Sequence, residues 1–214
     1  MVDALAVTIA GEPMQLLADR ALHWPRERAL MIADLHLGKA DTFRSSGIAL
    51  PRGGTQHDLD RIARLISTTG AQQLVVLGDF LHAGGREAHW RACWEQWRRT
   101  RAALRIVNIE GNHDRALAQL DLDIEQRTGT VALAPFELAH APSARPRLHR
   151  ICGHVHPRAR LPGIAGRWPA FVLDTQQTIL PAFSAFTGGV DVDARGRRLA
   201  VCNGEQVELV ERPR

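Results

Sequence analysis

Three short apolar runs, separated by segments with helical periodicity, constrain the fold of this chain more than any other feature of its sequence. They are "LMIA" (residues 30–33), "QLVVLG" (73–78) and "RIVNIEG" (105–111). Nearly continuous apolar runs of this length are typical of strands that are covered on both faces in a parallel sheet. The order strand, helix, strand, helix, strand therefore predicts a layered α/β fold.

The two segments between these runs are predicted to be helices. The first spans residues 51–68, with Thr55 as its N-cap and Gly70 just after its end. The second spans residues 86–104, where tryptophans recur at i, i+4 and i+7. That spacing more often forms a core face than a platform for nucleobases, so we expect these side chains to be buried. The tryptophans concerned are Trp90, Trp94 and Trp97.

The pattern changes after about residue 128, where short apolar runs alternate with proline and glycine. Such runs predict strands joined by turns. No repeat or low-complexity linker divides the chain, and 214 residues suffice for one sizeable core. We therefore expect a single domain over residues 1–214.

Composition excludes several classes of protein. An apolar fraction of 45% with 23% charged residues is ordinary for a soluble globular protein, and no apolar run reaches the length of a membrane span. The N-terminus carries the acidic Asp3 where a secretory signal carries positive charge, which predicts a cytoplasmic protein without a membrane partner. The three cysteines are scattered, which argues against a disulfide framework or a cysteine zinc site.

The basic residues are almost all of one kind. Lys39 is the only lysine among 27 basic residues, and the formal net charge is +4. Arginine binds phosphate through a planar, bidentate fork, so this composition permits a polyanionic partner. A compositional bias of the source genome explains the same excess, and the excess alone does not decide between the two.

Polar side chains follow each of the predicted core strands. Because the carboxyl ends of parallel strands meet at one edge of a sheet, these side chains are expected to converge. Each alone has an ordinary explanation as a cap or a turn residue. Together they predict a metal centre, since burying unpaired carboxylates and imidazoles is costly. Ligands without a thiolate suit Mn²⁺, Fe or Zn²⁺. The residues are Asp34, His36, Asp79, Asn112, His113, Asp114, His154 and His156.

The motifs D-x-H, G-D, G-N-H-D, a single histidine and G-H-x-H, in this order, resemble the signature of the calcineurin-like metallophosphoesterases. The chain is most similar to the bacterial metallophosphoesterases associated with DNA ligase, which are described as DNA-damage-response endonucleases. This similarity rests on "ADLHLGKADTFR", "GDFLH", "EGNHD" and "LPAFSAFTGG". It implies a four-layer α/β/β/α sandwich and two divalent metal ions, with Mn²⁺ preferred over Fe or Zn²⁺.

The resemblance also implies a ligand set. One ion would be held by Asp34, His36 and His156, the other by Asn112, His140 and His154, and Asp79 would bridge the two. His149 competes with His140 for the single-histidine motif. We prefer His140 because the apolar run "FELA" delivers it to a strand end, whereas His149 lies among arginines.

The mechanism that follows needs no protein nucleophile. Two cations about 3.5–4 Å apart can clamp a phosphodiester and activate a bridging hydroxide for in-line attack. His113, oriented by Asp114, could then protonate the leaving oxygen. The resemblance implies that His82, in place of a second acid, helps to position the phosphate. Arg115 could contact a phosphate oxygen, or it could be a surface residue at the start of a short helix.

The sequence therefore predicts a metal-dependent phosphodiesterase that acts on nucleic acid, specifically a DNA endonuclease in repair, with DNA ligase or a helicase as possible partners. The alternative is a phosphatase or phosphodiesterase for a small phosphate ester or nucleotide, because fold does not fix substrate. A third reading, a binding scaffold without activity, is disfavoured because the full ligand set and His113 are present.

Overall fold

The strands of the protein form two sheets, and the first contains the apolar runs that the sequence predicts as strands. The computed structural model describes residues 3–45, 47–49, 53–82, 88–161, 163–194 and 197–211. Within these residues, seven strands form the first sheet. The first four pair antiparallel and the last four pair parallel. In spatial order they are β1 (Ala4–Ile9), β2 (Glu12–Leu17), β3 (Ala21–Trp24), β4 (Ala29–Ile32), β5 (Gln73–Val76), β6 (Arg105–Ile109) and β7 (Glu125–Arg127).

Three α-helices connect the parallel strands. They are α1 (Lys39–Ser45), α2 (Gly54–Thr69) and α3 (Ala88–Arg99). Sequence periodicity predicted α2 and α3 but missed α1, which has only 7 residues. The parts of the predicted helices at residues 51–52 and 86–87 lie outside the described residues.

Helices α2 and α3 bury their apolar side chains against one face of the first sheet. All three tryptophans of α3 are buried, which confirms them as a core face. The indole of Trp97 donates a hydrogen bond of 2.9 Å to the Leu59 carbonyl of α2. The predicted N-cap Thr55 is wrong: Gly53, with φ +90°, precedes the first turn, and Thr55 lies buried inside α2. Gly70 does end the helix, as predicted.

The second sheet consists of nine short strands, as the pattern after residue 128 predicts. The strands are β8 (Val131–Leu133), β9 (Phe136–Leu138), β10 (His149–Cys152), β11 (Pro157–Ala159), β12 (Trp168–Leu173), β13 (Gln177–Ile179), β14 (Val190–Asp191), β15 (Arg198–Cys202) and β16 (Val207–Glu211). One path runs β14-β11-β12-β13-β10-β9-β8, and β15 pairs with β12 and with β16.

The two sheets face each other across a continuous hydrophobic core. Met31 and Val75 of the first sheet pack there against Phe136, Ile151 and Phe171 of the second. This arrangement confirms the expected α/β class and the sandwich of two sheets. Of the α-helices in the described chain, α2 and α3 pack on the outer face of the first sheet, and α1 contacts α2. The outer face of the second sheet carries a smaller cluster of strand residues, including Val172 and Leu199.

The sheets also meet at the edge where the parallel strands end. Ala33, just after β4, forms a parallel bridge with Ala182, which follows β13. The amide of Phe183 donates to the Ala33 carbonyl at 2.8 Å. The carboxyl ends of strands from both sheets therefore open onto one place. None of the helices in the described part of the chain combines the length and the apolar character needed to cross a bilayer.

Candidate metal centre

Five strand ends deliver polar side chains to this common edge. Strand β4 leads to Asp34 and His36, and β5 leads to Asp79. Strand β6 leads into the loop 111–114, and in the second sheet β9 and β10 lead to His140 and to residues 154–156. The structure groups these side chains into two sets of potential ligand atoms, each lying within 4.8 Å of one another. One set is Asp34, His36 and His156, and the other is Asp34, Asp79 and His140.

The backbone at this edge is strained. Five of the residues predicted as ligands adopt a positive φ, between +48° and +70°, although none is a glycine. The left-handed region costs about 1–2 kcal/mol for a residue with a Cβ atom. Strain of this kind persists where the surrounding structure holds it, and it concentrates at functional sites. The five residues are Asp34, His36, Asp79, His154 and His156.

The Asp34 carboxylate connects the two sheets. Its Oδ2 accepts a hydrogen bond of 2.9 Å from the His154 amide, so the loop after β10 is tied to the loop after β4. Its Oδ1 lies 3.2 Å from Nε2 of His156 and 4.0 Å from Nδ1 of His140. Asp34 is completely buried. Its free oxygen therefore faces one histidine from each set.

The Asp79 carboxylate also lies between histidines. Its Oδ2 is 3.9 Å from Nε2 of His36, and its Oδ1 is 3.7 Å from Nε2 of His140. Oδ1 also accepts a hydrogen bond of 3.0 Å from the His113 amide. The two oxygens thus point toward opposite sides of the cluster, which is the placement that a bridging ligand requires.

His140 is held in one orientation by the backbone. Its Nδ1 donates to the Leu77 carbonyl at 2.9 Å, which leaves Nε2 as the nitrogen with a free lone pair. That Nε2 lies 3.0 Å from Nδ1 of His154. The ring packs so closely on the chain that a Cβ atom added to Gly78 would come within 2.6 Å of His140 Cγ. The glycine of the G-D motif is therefore required by the close approach of this imidazole.

The competing histidine lies elsewhere. His149 begins β10, at the amino end of the strand whose carboxyl end faces the cluster. Its Nε2 lies 3.0 Å from the Thr178 hydroxyl. His140 therefore lies within the cluster, whereas His149 lies at the other end of β10.

Two further histidines flank the cluster. The ring of His82 lies 5.8 Å from that of His36 and 6.0 Å from that of His113, measured between centroids. His113 keeps 43% of its side-chain surface exposed, and its Nε2 lies 4.0 Å from Oδ2 of Asp79. His113 is thus within reach of both the buried carboxylate and an incoming substrate.

Two solved structures of phosphate-ester-cleaving proteins are similar to this chain. The crystal structure of the nuclease MPE from Pseudomonas putida is 38% identical, with a TM-score of 0.82, and the match covers 93% of this chain and 96% of that chain. The E. coli phosphoesterase Yfce is 18% identical, with a TM-score of 0.48, over 85% of this chain and 97% of that chain. No family model and no curated protein matches.

The chain belongs to the calcineurin-like metallophosphoesterases. As a member of that family it is a metal-dependent phosphoesterase.

The buried polar atoms of this metallophosphoesterase suit a divalent cation. Asp34 Oδ1, both ring nitrogens of His36 and His156 Nε2 are buried without a hydrogen-bond partner in the described part of the chain. Leaving a polar atom buried and unpaired costs about 1–3 kcal/mol. A metal ion satisfies carboxylate and imidazole lone pairs together. The donor set and its unmet bonding capacity therefore fit a metal ion.

The charge state of His36 fits the same role. Burial, reinforced by the nearby positive charge of Lys39 and by His156, lowers the pKa of His36 to about 2. The imidazole is therefore neutral at physiological pH, as a metal ligand must be.

Asp114 departs from the expected arrangement. We predicted that it orients His113, but within the described residues both of its oxygens accept hydrogen bonds from other groups. Oδ1 accepts from the Leu81 amide at 3.2 Å, and Oδ2 accepts from the Gly111 amide at 2.9 Å and from the Asn108 side chain at 3.0 Å. Among the described residues, no hydrogen bond or ion pair joins the Asp114 carboxylate to the His113 ring. Asp114 is therefore a positioning residue that joins the loops after β5 and β6.

Asn112 and Arg115 are exposed, and the described chain provides no side-chain partner for either. Arg115 lies in the short 3-10 helix Asp114–Gln119. Their predicted roles stay predictions.

Sequence reasoning missed Lys39 as a neighbour of the site. Its ammonium donates a hydrogen bond of 3.1 Å to the Thr187 hydroxyl, while burial lowers its pKa and Asp34 and Asp79 act in the opposite direction. A signal was available in the sequence, because the only lysine of the chain lies three residues after the last residue of the D-x-H motif.

Proposed function

We propose that this metallophosphoesterase is a phosphodiesterase that cleaves nucleic acid, and that its role is that of a DNA endonuclease in repair. The observation that carries this proposal is the 38% identity to a nuclease over 93% of the chain. The position of His82 supports it, since this side chain occupies the rim of the cluster beside His36 and His113.

Two divalent metal ions, with Mn²⁺ as the first choice, complete the proposed site. Asp34, His36 and His156 would hold one ion, Asn112, His140 and His154 would hold the other, and Asp79 would be the ligand that both share. When bound, such ions supply positive charge that stabilises the phosphoryl oxygens and lowers the pKa of a water molecule. The placement of Asp79 between His36 and His140 supports the bridging role.

The remaining residues act on the substrate directly. His113 donates a proton to the leaving oxygen, a role supported by its exposure and by its distance of 4.0 Å from Asp79. His82 binds the scissile phosphate, and Arg115 contacts a phosphate oxygen. Asp114 keeps this constellation in place through its bonds to Leu81 and Gly111.

The test is hydrolysis by the Mn²⁺-reconstituted protein of four substrates in parallel: single-stranded DNA, duplex DNA, a cyclic dinucleotide and a simple phosphomonoester. We expect internal cleavage of at least one DNA substrate, and loss of that cleavage in Asp79→Asn. A preparation that hydrolyses only the monoester or the cyclic dinucleotide would assign the chain to small phosphate esters instead.

A further inference from the structure

A groove beside the metal centre is lined by cationic side chains that the proposed mechanism does not use. It has a volume of about 220 Å³ and shares His156 with the centre. Three arginines, one tryptophan and one threonine contribute to its lining. We call it the arginine groove, and those residues are Arg20, Arg158, Arg167, Trp168 and Thr187.

The arginine groove and the metal centre share one stretch of backbone. Strand β11 starts directly after His156, so Arg158 lies two positions from this ligand. The His156 carbonyl accepts a hydrogen bond of 3.0 Å from the Val190 amide. A Cβ atom on Gly189 would meet that carbonyl and would lie 2.8 Å from Cδ of Arg158. Whatever binds in the groove is therefore held close to the reacting site.

The groove is strongly positive. None of its described lining residues is acidic. Arg158 donates a hydrogen bond of 3.0 Å to the backbone carbonyl of Arg167. Because a carbonyl carries no net charge, this bond does not neutralise the guanidinium of Arg158. The guanidinium of Arg167 pairs with Asp191 at 2.8 Å, and both side chains are partly exposed.

Arg20 adds a buried donor that is not satisfied. Its Nη1 donates to the Ser184 carbonyl at 3.2 Å, but its Nε is buried without a hydrogen-bond partner in the described part of the chain. An anion in the groove would offset the charge of this guanidinium. Arginine is suited to the planar oxygens of a phosphodiester.

Lys39 links the groove to the metal centre. Its ammonium donates to Thr187, a lining residue, while its charge acts on Asp34 and Asp79. Lys39 thus places a cation between the proposed metal ligands and a residue that lines the groove. Trp168, whose indole donates to the Ala165 carbonyl, adds an aromatic side chain of the kind on which unpaired bases stack.

We propose that the arginine groove binds the sugar–phosphate backbone of a nucleic-acid strand next to the scissile phosphate. This inference rests on the proposed function. It adds that the substrate is an extended strand, held on one side of the phosphodiester bond that is cleaved. A small ester would occupy the metal centre without reaching the groove.

The experiment measures binding of a labelled single-stranded phosphorothioate oligonucleotide, which resists hydrolysis, to the Mn²⁺-reconstituted full-length protein. Arg167→Ala should weaken binding about tenfold and lower the slope of log affinity against log salt by about 1. Asp191→Asn should strengthen binding about twofold to threefold, because it removes the negative charge that offsets Arg167.

The matched control is Arg198→Ala. Arg198 also forms an exposed ion pair, with Glu211, but it lies opposite Leu173 at the far end of β12 from Trp168. Its loss should change affinity less than threefold. Three outcomes would contradict strand binding in the groove. They are equal weakening by Arg167→Ala and Arg198→Ala, weaker binding by Asp191→Asn, and a wild-type protein that does not bind the strand.

Activity measurements distinguish a failure of the groove proposal from a failure of the proposed function. Arg167→Ala should lose about ten times more of kcat/KM on an oligonucleotide than on bis(p-nitrophenyl) phosphate, and equal losses would contradict the groove. A wild-type protein that binds strands through Arg167 yet cleaves none would reject the nuclease and retain the groove. Cleavage of DNA that does not depend on Arg167 would support the nuclease and reject the groove.

Discussion

Two buried aspartates at the metal centre have different environments and, we infer, different tasks. The carboxylate of Asp79 faces His36 on one side and His140 on the other. The carboxylate of Asp114 is occupied by amide donors from Leu81 and Gly111. Asp79 therefore has oxygens directed at the ligand histidines, whereas Asp114 uses its oxygens to fix two loops. The sequence presents both as acids that follow a core strand and does not separate them.

Removing the imidazole of His113 should slow the chemistry without releasing metal. In the proposed mechanism His113 protonates the leaving oxygen and binds no ion. We expect His113→Ala to keep its metal content but to lose about 10²–10⁴-fold in turnover on a substrate with an ordinary alkoxide leaving group. On bis(p-nitrophenyl) phosphate the loss should be much smaller, because nitrophenolate departs without protonation. Equal losses on both substrates, with a lowered Tm, would make His113 a structural residue.

Removing the negative charge of Asp79 should weaken both metal sites at once. Asp79→Asn keeps the shape of the side chain but loses the charge that the bridging role requires. Elemental analysis after Mn²⁺ reconstitution should approach two equivalents for the wild-type protein and fall below one for this variant. His36→Ala should lose mainly one equivalent, since His36 belongs to one ligand set. A wild-type stoichiometry of one that Asp79→Asn leaves unchanged would contradict the dinuclear assignment.

Strands and their ends were the most predictable elements. The runs that became β4, β5 and β6 are apolar because both faces of the parallel sheet are covered, and the loops after them carry the polar residues. Helix α1 was missed because its 7 residues are too few to show a helical period. The start of α2 was misplaced because Gly53 supplies the turn through its left-handed backbone, and no side-chain cap marks it.

The site itself was predictable only as a set of residues. The sequence indicates which strand ends carry ligand-type side chains, and the structure brings Asp34, Asp79, His36, His140 and His156 together. The partners of Asp114 and the approach of Lys39 to Thr187 could not be foreseen. Both depend on contacts between distant loops, which periodicity does not encode.

A substitution in the loop after β5 tests whether the backbone of that loop is needed to place His140 in the metal centre. Gly78 and Gly70 both have a positive φ, but only a Cβ atom on Gly78 would collide with the His140 ring. Gly78→Ala should therefore lose metal as well as stability. Gly70→Ala, the control, meets no atom within 4 Å and should lose about 1 kcal/mol of stability while retaining its metal. Metal content and urea unfolding of the two variants provide the measurement, and equal metal content would contradict the coupling.

The charge of the whole molecule bears on how it meets a polyanion. With a net charge of +4, and arginine at all but one of its basic positions, the protein can neutralise several phosphates at once. Each neutralised phosphate releases condensed counterions, so affinity for single-stranded DNA should fall steeply between low and physiological salt. Binding measured over that range is the check. A flat dependence would favour a small phosphate ester as the substrate.

The left-handed backbone at the five strained positions that we predict as ligands has an evolutionary consequence. Glycine adopts these angles without cost, and asparagine does so more readily than histidine. Selection for stability alone would therefore replace these residues, and only a requirement for their side chains keeps them. Descendants of this protein that abandon hydrolysis should accumulate glycine and asparagine at positions 34, 36, 79, 154 and 156 sooner than elsewhere, and should melt at higher temperature when they do.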